Sequence, residues 1–176
     1  MKKTRILVFM SLFVAMYVVL TYLIPVIKID IIRISFGFLP QAFASMLFGP
    51  LTGGLGSIAG DLLGMLIAPS GPYFAGFTLS AFLTGTIYGL FLYNKPKTLL
   101  RIILAVLCVT VFIDIALNTY WLTILLGKGY MALLPVRIIK SAAMLPVQVI
   151  IISLFWKYAG RRFEAASRQD GIKRKQ

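Results

Sequence analysis

Residues 99–126 read LLRIILAVLCVTVFIDIALNTYWLTILL, and this stretch decides the fold class of the chain. It carries two charged side chains, Arg101 near its start and Asp114 near its middle. A helix needs about 20 mostly apolar residues to cross the hydrocarbon core of a bilayer. The stretch therefore predicts a membrane-spanning helix rather than an element of a soluble core.

The rest of the chain has the same character. Of its 176 residues, 60% are hydrophobic and 13% are charged, whereas a soluble domain carries about 25% charged residues. Four further apolar runs are long enough to span a bilayer and one is short. They lie at 6–27, 51–68, 73–93 and 135–158, with the short run at 37–49. We predict an all-α membrane protein, a single domain over 1–176 that forms a bundle of six transmembrane helices, with a basic tail from about residue 159.

The lysines and arginines predict the orientation of this bundle. Most of the 18 cations fall at one surface, in the N-terminal flank, the 95–101 segment and the C-terminal tail. By the positive-inside rule that surface is cytoplasmic, and both termini lie there. The net charge of +13 does not indicate nucleic acid, because the cations lie in short loops and tails that suit contact with the lipid bilayer. Five cations remain for the outer side: Lys28, Arg33, Lys128, Arg137 and Lys140.

The residue types argue against catalysis and against a metal or other cofactor. The chain has no histidine and one cysteine, Cys108, within an apolar run. It therefore offers no Ser/His/Asp arrangement and no histidine or cysteine cluster for a metal. The glycine-rich run 52–64 lacks the lysine of a phosphate-binding loop. We expect neither an enzyme nor a cofactor.

Small residues recur at helical spacing in three of the spans. Such faces let helix backbones approach closely, which is how bundles pack in lipid. We expect internal packing for two of them, Gly56/Gly60/Gly64 and Ala81/Gly85/Gly89. For Ser11 and Ala15 in the first span, packing and contact with a partner protein both remain open.

Polar side chains within the spans indicate a site, because ionisable groups in a bilayer are costly and often functional. Asp114, Asn118 and Trp121 are spaced i, i+4 and i+7, which predicts one stripe of one helix. Arg137 and Lys140 share a face of the last span, for which we expect Pro135 to be the helix start. Counted from the helix ends, these groups and Asp61 lie in the outer half of the bundle.

Two interpretations of these charges stay open. Asp61 or Asp114 can form a buried salt bridge with Arg137 or Lys140 that holds the helices in register. Alternatively an anionic ligand pairs with the outer cations, since these cations, Arg33 included, outnumber the two aspartates. Aromatic residues nearby suit either a membrane-interface belt or flat walls for a planar ring. They are Phe36, Phe38, Tyr73, Phe74, Phe77, Tyr120, Trp121 and Tyr130.

Four segments carry a resemblance to a known family: RISFGFLP at 33–40, LFGP at 47–50, GDLLG at 60–64 and PSGPYFAGFTLS at 69–80. The chain resembles the substrate-binding S-component of energy-coupling factor (ECF) vitamin transporters, and segments 33–40 and 69–77 are similar to the folate branch. An S-component for another vitamin and a membrane scaffold without transport function are the alternatives.

The resemblance implies capture of folate from outside a bacterial cell, at a multi-pass protein of the cell membrane. Delivery would pass through a transmembrane coupling subunit powered by two separate cytoplasmic ATPases, the only users of ATP. The family's alanine-xxx-alanine notch on the first helix contacts the coupling subunit, and Ser11 and Ala15 match it with one serine.

Folate has a flat pterin ring and a glutamate tail with two carboxylates. The resemblance and the residue types together suggest that Trp121, Tyr73 or Phe77 contact the faces of the pterin ring. Asn118 and Asp61 would form hydrogen bonds with its edge. The cations Arg33, Arg137 and Lys140 would pair with the tail. Phe36, Gly71 and Pro72, in the outer loop and turn, complete the expected substrate-binding residues.

Overall fold

The computed structural model describes residues 3–24, 27–28, 33–69, 71–127 and 129–160. Of residues 3, 5, 27, 28, 33, 34, 159 and 160 it describes the backbone and not the side chain. The predicted basic tail after residue 160, residue Lys128 and the side chain of Arg33 lie outside the described part.

The described residues form a bundle of six helical segments, as predicted. They are α1 (Lys3–Val18, continued by a π-helical turn at Val19–Leu23), α2 (Phe38–Phe48), α3 (Pro50–Ile67), α4 (Ala75–Leu92), α5 (Leu99–Leu126) and α6 (Tyr130–Phe155, continued by a π-helical turn at Trp156–Gly160). All but α2 are long and apolar enough to cross a membrane. The all-helical class is confirmed apart from one short ladder, in which Ile27–Lys28 pairs antiparallel with Arg33–Ile34.

Helix α2 is short because glycine and proline end it. Gly49 has φ +98, a left-handed value that favours glycine, and Pro50 follows as the first residue of α3. A helix of 11 residues cannot span the hydrocarbon core, so it must be shielded by protein. The structure shows this shielding, since the consecutive residues from Pro40 to Met46 are buried.

The glycine stripes bring the first four helices together, as the sequence predicted. A Cβ added at Gly85 would lie 2.7 Å from the carbonyl oxygen of Gly53, so α3 and α4 touch backbone to backbone. The stripe Gly56, Gly60 and Gly64 faces α1 instead. The side chains of Met10, Tyr17 and Tyr22 fill the space that side chains would take there.

A hydrophobic core joins α2, α4, α5 and α6. Its fully buried members include Ala42, Tyr88, Leu92, Val106 and Ile152, and the ring of Trp156 packs against Phe43. On the other side of the bundle, α1 and α3 pack on α2 and α4. The structure leaves a cavity within the bundle, lined by residues of all six helices.

Two features of α5 and α6 differ from the sequence prediction. Helix α6 begins at Tyr130, so the expected start at Pro135 is wrong and the proline lies inside the helix. The apolar residues 131–134 form an additional helical turn, although Pro135 has no N–H to donate to the carbonyl four residues before it. Helix α5 is α-helical at Leu99–Cys108 and Asn118–Leu126 but π-helical over Val109–Leu117.

Candidate ligand-binding site

A cavity of about 540 Å³ lies within the bundle, and residues of all six helices and of the 71–74 turn line it. Its polar groups come from spans that are otherwise apolar. Eight of the predicted site residues line it: Asp61, Gly71, Pro72, Tyr73, Phe77, Asn118, Arg137 and Lys140. The structure thus brings together most of the side chains that the sequence placed at one depth.

Phe36 and Trp121 are not among the described residues that line the cavity. The ring of Phe36 packs on Phe38, which does line it. Trp121 packs on Phe74 and donates a hydrogen bond from Nε1 to Ser80 Oγ at 3.1 Å. Ser11 and Ala15 lie on an exposed face of α1, outside the cavity wall.

The π-helical segment Val109–Leu117 changes how Asp114 is oriented relative to the α-helical residues that follow it. In a π-helix the hydrogen bonds run from i to i+5, so residues five apart share a face. Val109 and Asp114 are five apart and both line the cavity, followed by Asn118 and Leu122. The prediction that Asp114, Asn118 and Trp121 share one stripe assumed an unbroken α-helix. In the structure Asp114 and Asn118 line the cavity, whereas Trp121 does not.

One wall of the cavity carries a hydrogen-bonded carboxylate. Asp61 is 7% exposed, and its two carboxylate oxygens accept hydrogen bonds from Tyr22 Oη and, at 2.8 Å, from Thr78 Oγ1. The hydroxyl of Tyr73 lies 3.2 Å from that of Thr78. This chain of hydroxyls links α1, α3, α4 and the turn before α4 around a single buried acid.

Helix α6 carries a buried cation in the cavity wall, and no carboxylate of the described residues forms an ion pair with it. Arg137 is 7% exposed, and its Nη2 donates to the backbone carbonyl of Asp114 at 3.1 Å. Its Nε has no hydrogen-bond partner in the part of the chain that the structure describes. Within the described part of the chain, no ion pair joins Arg137 or Lys140 to Asp61 or Asp114, so the structure does not show the predicted salt bridge. The Asp114 carboxylate instead accepts from Asn118 Nδ2 at 3.3 Å.

Sequence reasoning missed several polar residues of the cavity wall, among them Gln41, Tyr88 and Gln148. All three are buried within apolar helices. The signal that selected Asp61 and Asn118, a polar side chain inside a span, was present for Gln41 and Gln148 as well. Among the described residues, no group of three or more His, Cys, Asp or Glu side chains is placed to hold a metal ion.

Replacing Trp121 with phenylalanine is expected to lower the free energy of unfolding by about 1 kcal/mol, since the aromatic packing on Phe74 is kept and the bond to Ser80 is lost. Thermal unfolding of the purified protein in detergent measures this as a fall in Tm of roughly 2–4 °C. The exposed neighbour Tyr120 provides the control, because Tyr120→Phe should leave Tm unchanged. Equal Tm values for both variants would contradict a stabilising role of the indole hydrogen bond.

Comparison with known proteins adds to this geometry. A family model described as the substrate-specific component of ECF transporters matches residues 5–155. The chain belongs to this S-component family. Membership makes it a substrate-binding subunit of a transporter rather than an enzyme, and a multi-pass membrane protein.

Individual relatives of this S-component are also identified. It is 44% identical over 161 residues to a folate transporter FolT of Clostridium novyi, covering 92% of this chain and 93% of that protein. A folate transporter FolT of Leuconostoc mesenteroides is 30% identical over 152 residues, covering 83% and 81%. A crystal structure of FolT bound with folic acid matches with a TM-score of 0.81 and 39% identity, covering 87% of this chain and 92% of that one.

Proposed function

We propose that this S-component captures folate. The observation that carries the proposal is the guanidinium of Arg137, which is buried in the cavity wall with one nitrogen unpaired and with Lys140 on the same helix face. A buried cation without a carboxylate is costly unless a ligand neutralises it. The two relatives named as folate transporters, and the related structure that holds folic acid, support the same substrate.

The tail of folate matches the cations of the cavity. A planar guanidinium suits a carboxylate better than a point charge does, so Arg137 takes one tail carboxylate. Lys140 lines the cavity one turn further along the helix and takes the second. Arg33, the third cation of the sequence prediction, belongs to the short ladder at the outer loop and is proposed to assist.

The rest of the cavity suits a flat organic molecule. Its volume of about 540 Å³ falls within the range of roughly 300–1,000 Å³ that is typical of small-molecule sites. Tyr73 and Phe77 supply aromatic surface, and Asp61 and Asn118 supply hydrogen-bonding groups. Gly71 and Pro72 form the adjoining turn, while Phe36 and Trp121 support aromatic residues of the wall from behind.

We further propose that the cavity mouth faces outside, that both termini are cytoplasmic, and that a coupling subunit and two ATPases complete the transporter. The notch of Ser11 and Ala15 on α1 is the proposed contact for the coupling subunit. The Ser11 hydroxyl donates to the carbonyl of Leu7 at 2.9 Å, so it is satisfied within its own helix. The residue thus presents a small surface to a neighbouring helix, as close helix packing in membranes requires.

Calorimetry on the detergent-solubilised chain tests the proposed substrate. We expect saturable binding of folate with one site per chain. Pteroate, which keeps the ring and lacks the glutamate, should bind at least about tenfold more weakly, because one charge-assisted hydrogen bond contributes roughly 1.5–3 kcal/mol. A competition panel, in which other vitamins are tested against folate, distinguishes an S-component for folate from one for another vitamin. Absence of binding to any vitamin would support a membrane scaffold instead.

A further inference from the structure

A second guanidinium with an unsatisfied nitrogen lies at the start of α5, which is the end of the bundle away from Arg137. Arg101 is the third residue of α5. Its Nη1 atom is shielded from solvent and forms no hydrogen bond to the described part of the chain. The residue lies one turn before the fully buried Ala105, so it is on the face of α5 that packs on the bundle. A charged donor without an acceptor is costly, which indicates a missing partner.

Another cation joins this end of α5 to the end of α6. The ammonium of Lys97 lies over the ring of Trp156, 4.6 Å from the ring centroid. Trp156 is itself buried and packs on Phe43, so the ring holds the ammonium at a defined place. Lys97 precedes Arg101 by four residues. The two cations therefore lie together where the start of α5 meets the end of α6.

Helix stability does not account for these cations. The N-terminus is the positive end of the helix macrodipole, and cations are unfavourable there. The first turn of α5 contains no acidic residue that could offset them. The two acidic side chains that the structure describes, Asp61 and Asp114, both line the cavity, and Asp114 lies thirteen residues beyond Arg101 along α5. An anion bound at the start of α5 would neutralise a charge that these two carboxylates do not reach.

The surface beside the cations is apolar, which indicates what kind of anion it suits. Leu99 and Leu100, which directly precede Arg101, are 59% and 67% exposed. Phe155 and Tyr158 at the end of α6 are exposed as well. A soluble anion would leave this apolar surface uncovered, whereas the acyl chains of a lipid would cover it. A phospholipid presents its phosphate where its acyl chains begin, at the level of cationic and aromatic side chains.

We infer that Lys97 and Arg101 form a binding site for the headgroup phosphate of an anionic phospholipid, in the leaflet that is cytoplasmic in the proposed orientation. The planar guanidinium donates to two phosphate oxygens, and the ammonium adds a point charge. No hydrogen bond to the described residues holds Nη1 in place, so the side chain can turn towards the headgroup. The segment 161–176 carries six cations and two acidic residues, so on balance it repels these side chains and is a poorer source of the anion. Neither cation lines the cavity, so the site is separate from the proposed folate site.

Quenching of Trp156 fluorescence by brominated lipids tests this site. The chain has two tryptophans, so Trp156 is the only one in a Trp121→Phe background. The full chain is placed in phosphatidylcholine vesicles in which brominated phosphatidylglycerol or brominated phosphatidylcholine replaces a varied fraction of the lipid. The two quenching curves give the relative affinity of these lipids for the place beside Trp156. We expect phosphatidylglycerol to be preferred about 25-fold, roughly fivefold for each of the two cations.

Charge-removing variants locate the preference. Arg101→Gln and Lys97→Gln should each lower the preference for phosphatidylglycerol about fivefold. Arg101→Lys should keep most of it, because the charge is retained and the planar fork is lost. Lys95→Gln is the matched control, since it removes the same charge from the same loop. The Lys95 ammonium already donates to the carbonyl of Leu90 at 2.7 Å, so its replacement should leave the preference unchanged.

Three results would overturn the lipid site. The first is that the parent protein shows no preference for phosphatidylglycerol, or keeps it in both Arg101→Gln and Lys97→Gln. The second is an equal loss in these two variants and in Lys95→Gln, because that indicates diffuse attraction to a basic surface. The third is displacement of brominated phosphatidylglycerol by millimolar inorganic phosphate, which would make the site one for a soluble anion. None of these measurements uses folate, so their failure is distinguishable from failure of the proposed function.

Discussion

Arg137→Gln is expected to lower the affinity for folate about 100-fold while the ligand-free protein stays as stable as the wild type or becomes more stable. Truncating one partner of a buried, hydrogen-bonded charge pair costs roughly 2–5 kcal/mol of binding free energy. Without ligand the guanidinium donates to the carbonyl of Asp114, and its Nε is unpaired. Burial of the guanidinium costs more than its attraction to the Asp114 carboxylate returns, and the two groups form no ion pair, so removing the charge should cost little stability.

A pair of measurements separates ligand binding from a structural role for Arg137. Calorimetry gives the affinities for folate and pteroate, and thermal unfolding in detergent gives Tm. We expect the difference between the two affinities to become smaller, because one of the contacts that distinguish folate from pteroate is gone while that of Lys140 remains. Arg137→Lys should recover part of the affinity, since it keeps the charge and loses the planar fork.

Arg101→Gln is the control for Arg137. Arg101 also has a buried and unpaired guanidinium nitrogen, yet it does not line the cavity. Its replacement should leave the affinity for folate unchanged. A large fall in Tm for Arg137→Gln with unchanged folate affinity would contradict the role of Arg137 as a ligand-binding cation and would favour the scaffold alternative.

The sequence was sufficient to predict the helical spans, because the bilayer restricts which backbone structures can cross it. Backbone groups cannot remain unpaired in lipid, so each apolar run of sufficient length must be helical. The same reasoning correctly included the short run at 37–49, which the structure forms as Phe38–Phe48 and surrounds with protein. The packing role of the glycine stripes could also be predicted, since small side chains allow helices in a membrane to pack closely.

The local geometry of the site could be predicted less well from the sequence. Counting in steps of 3.6 residues placed Asp114, Asn118 and Trp121 on one stripe, but Asp114 lies in a π-helical segment and Trp121 contacts Phe74 and Ser80 instead of lining the cavity. A π-helical segment has no reliable composition signal, because it depends on packing with neighbouring helices. The sequence could not decide whether Arg137 forms a salt bridge or stays unpaired. That decision depends on the distance between two helices, which also follows from packing.

The residues that sequence reasoning passed over show a second limit. From the sequence alone, Tyr88 resembles an aromatic residue of the membrane interface. Its position inside the bundle follows only from its burial between α2, α5 and α6. Gln41 was readable as a polar residue in a short apolar helix. Its role depends on which atoms of its amide are already engaged, and that follows only from the positions of Ser57 and Ala81.

Gly89→Val is expected to destabilise the protein more than Trp121→Phe, because it disrupts a contact between two helix backbones. A Cβ at Gly89 would collide with the Cα atom of Pro50 and lie 2.6 Å from its backbone nitrogen. These are backbone atoms at the start of α3, so no side-chain rotation can relieve the clash. Overpacking of this kind costs about 1–3 kcal/mol, and a cost at the upper end, about 3 kcal/mol, corresponds to a fall in Tm of roughly 6–12 °C for a protein of this size.

The position of the clash links this loss of stability to ligand binding. Helices α3 and α4 each contribute to the cavity wall, with Asp61 and Thr84 among the lining residues. Moving α3 away from α4 should therefore weaken folate binding as well, in proportion to the displacement. Gly129→Ala is the control, because Gly129 has φ −60 and an added Cβ would meet no atom within 4 Å. If Gly89→Val and Gly129→Ala unfold at the same temperature and bind folate equally, the close contact of α3 and α4 does not hold the cavity in shape.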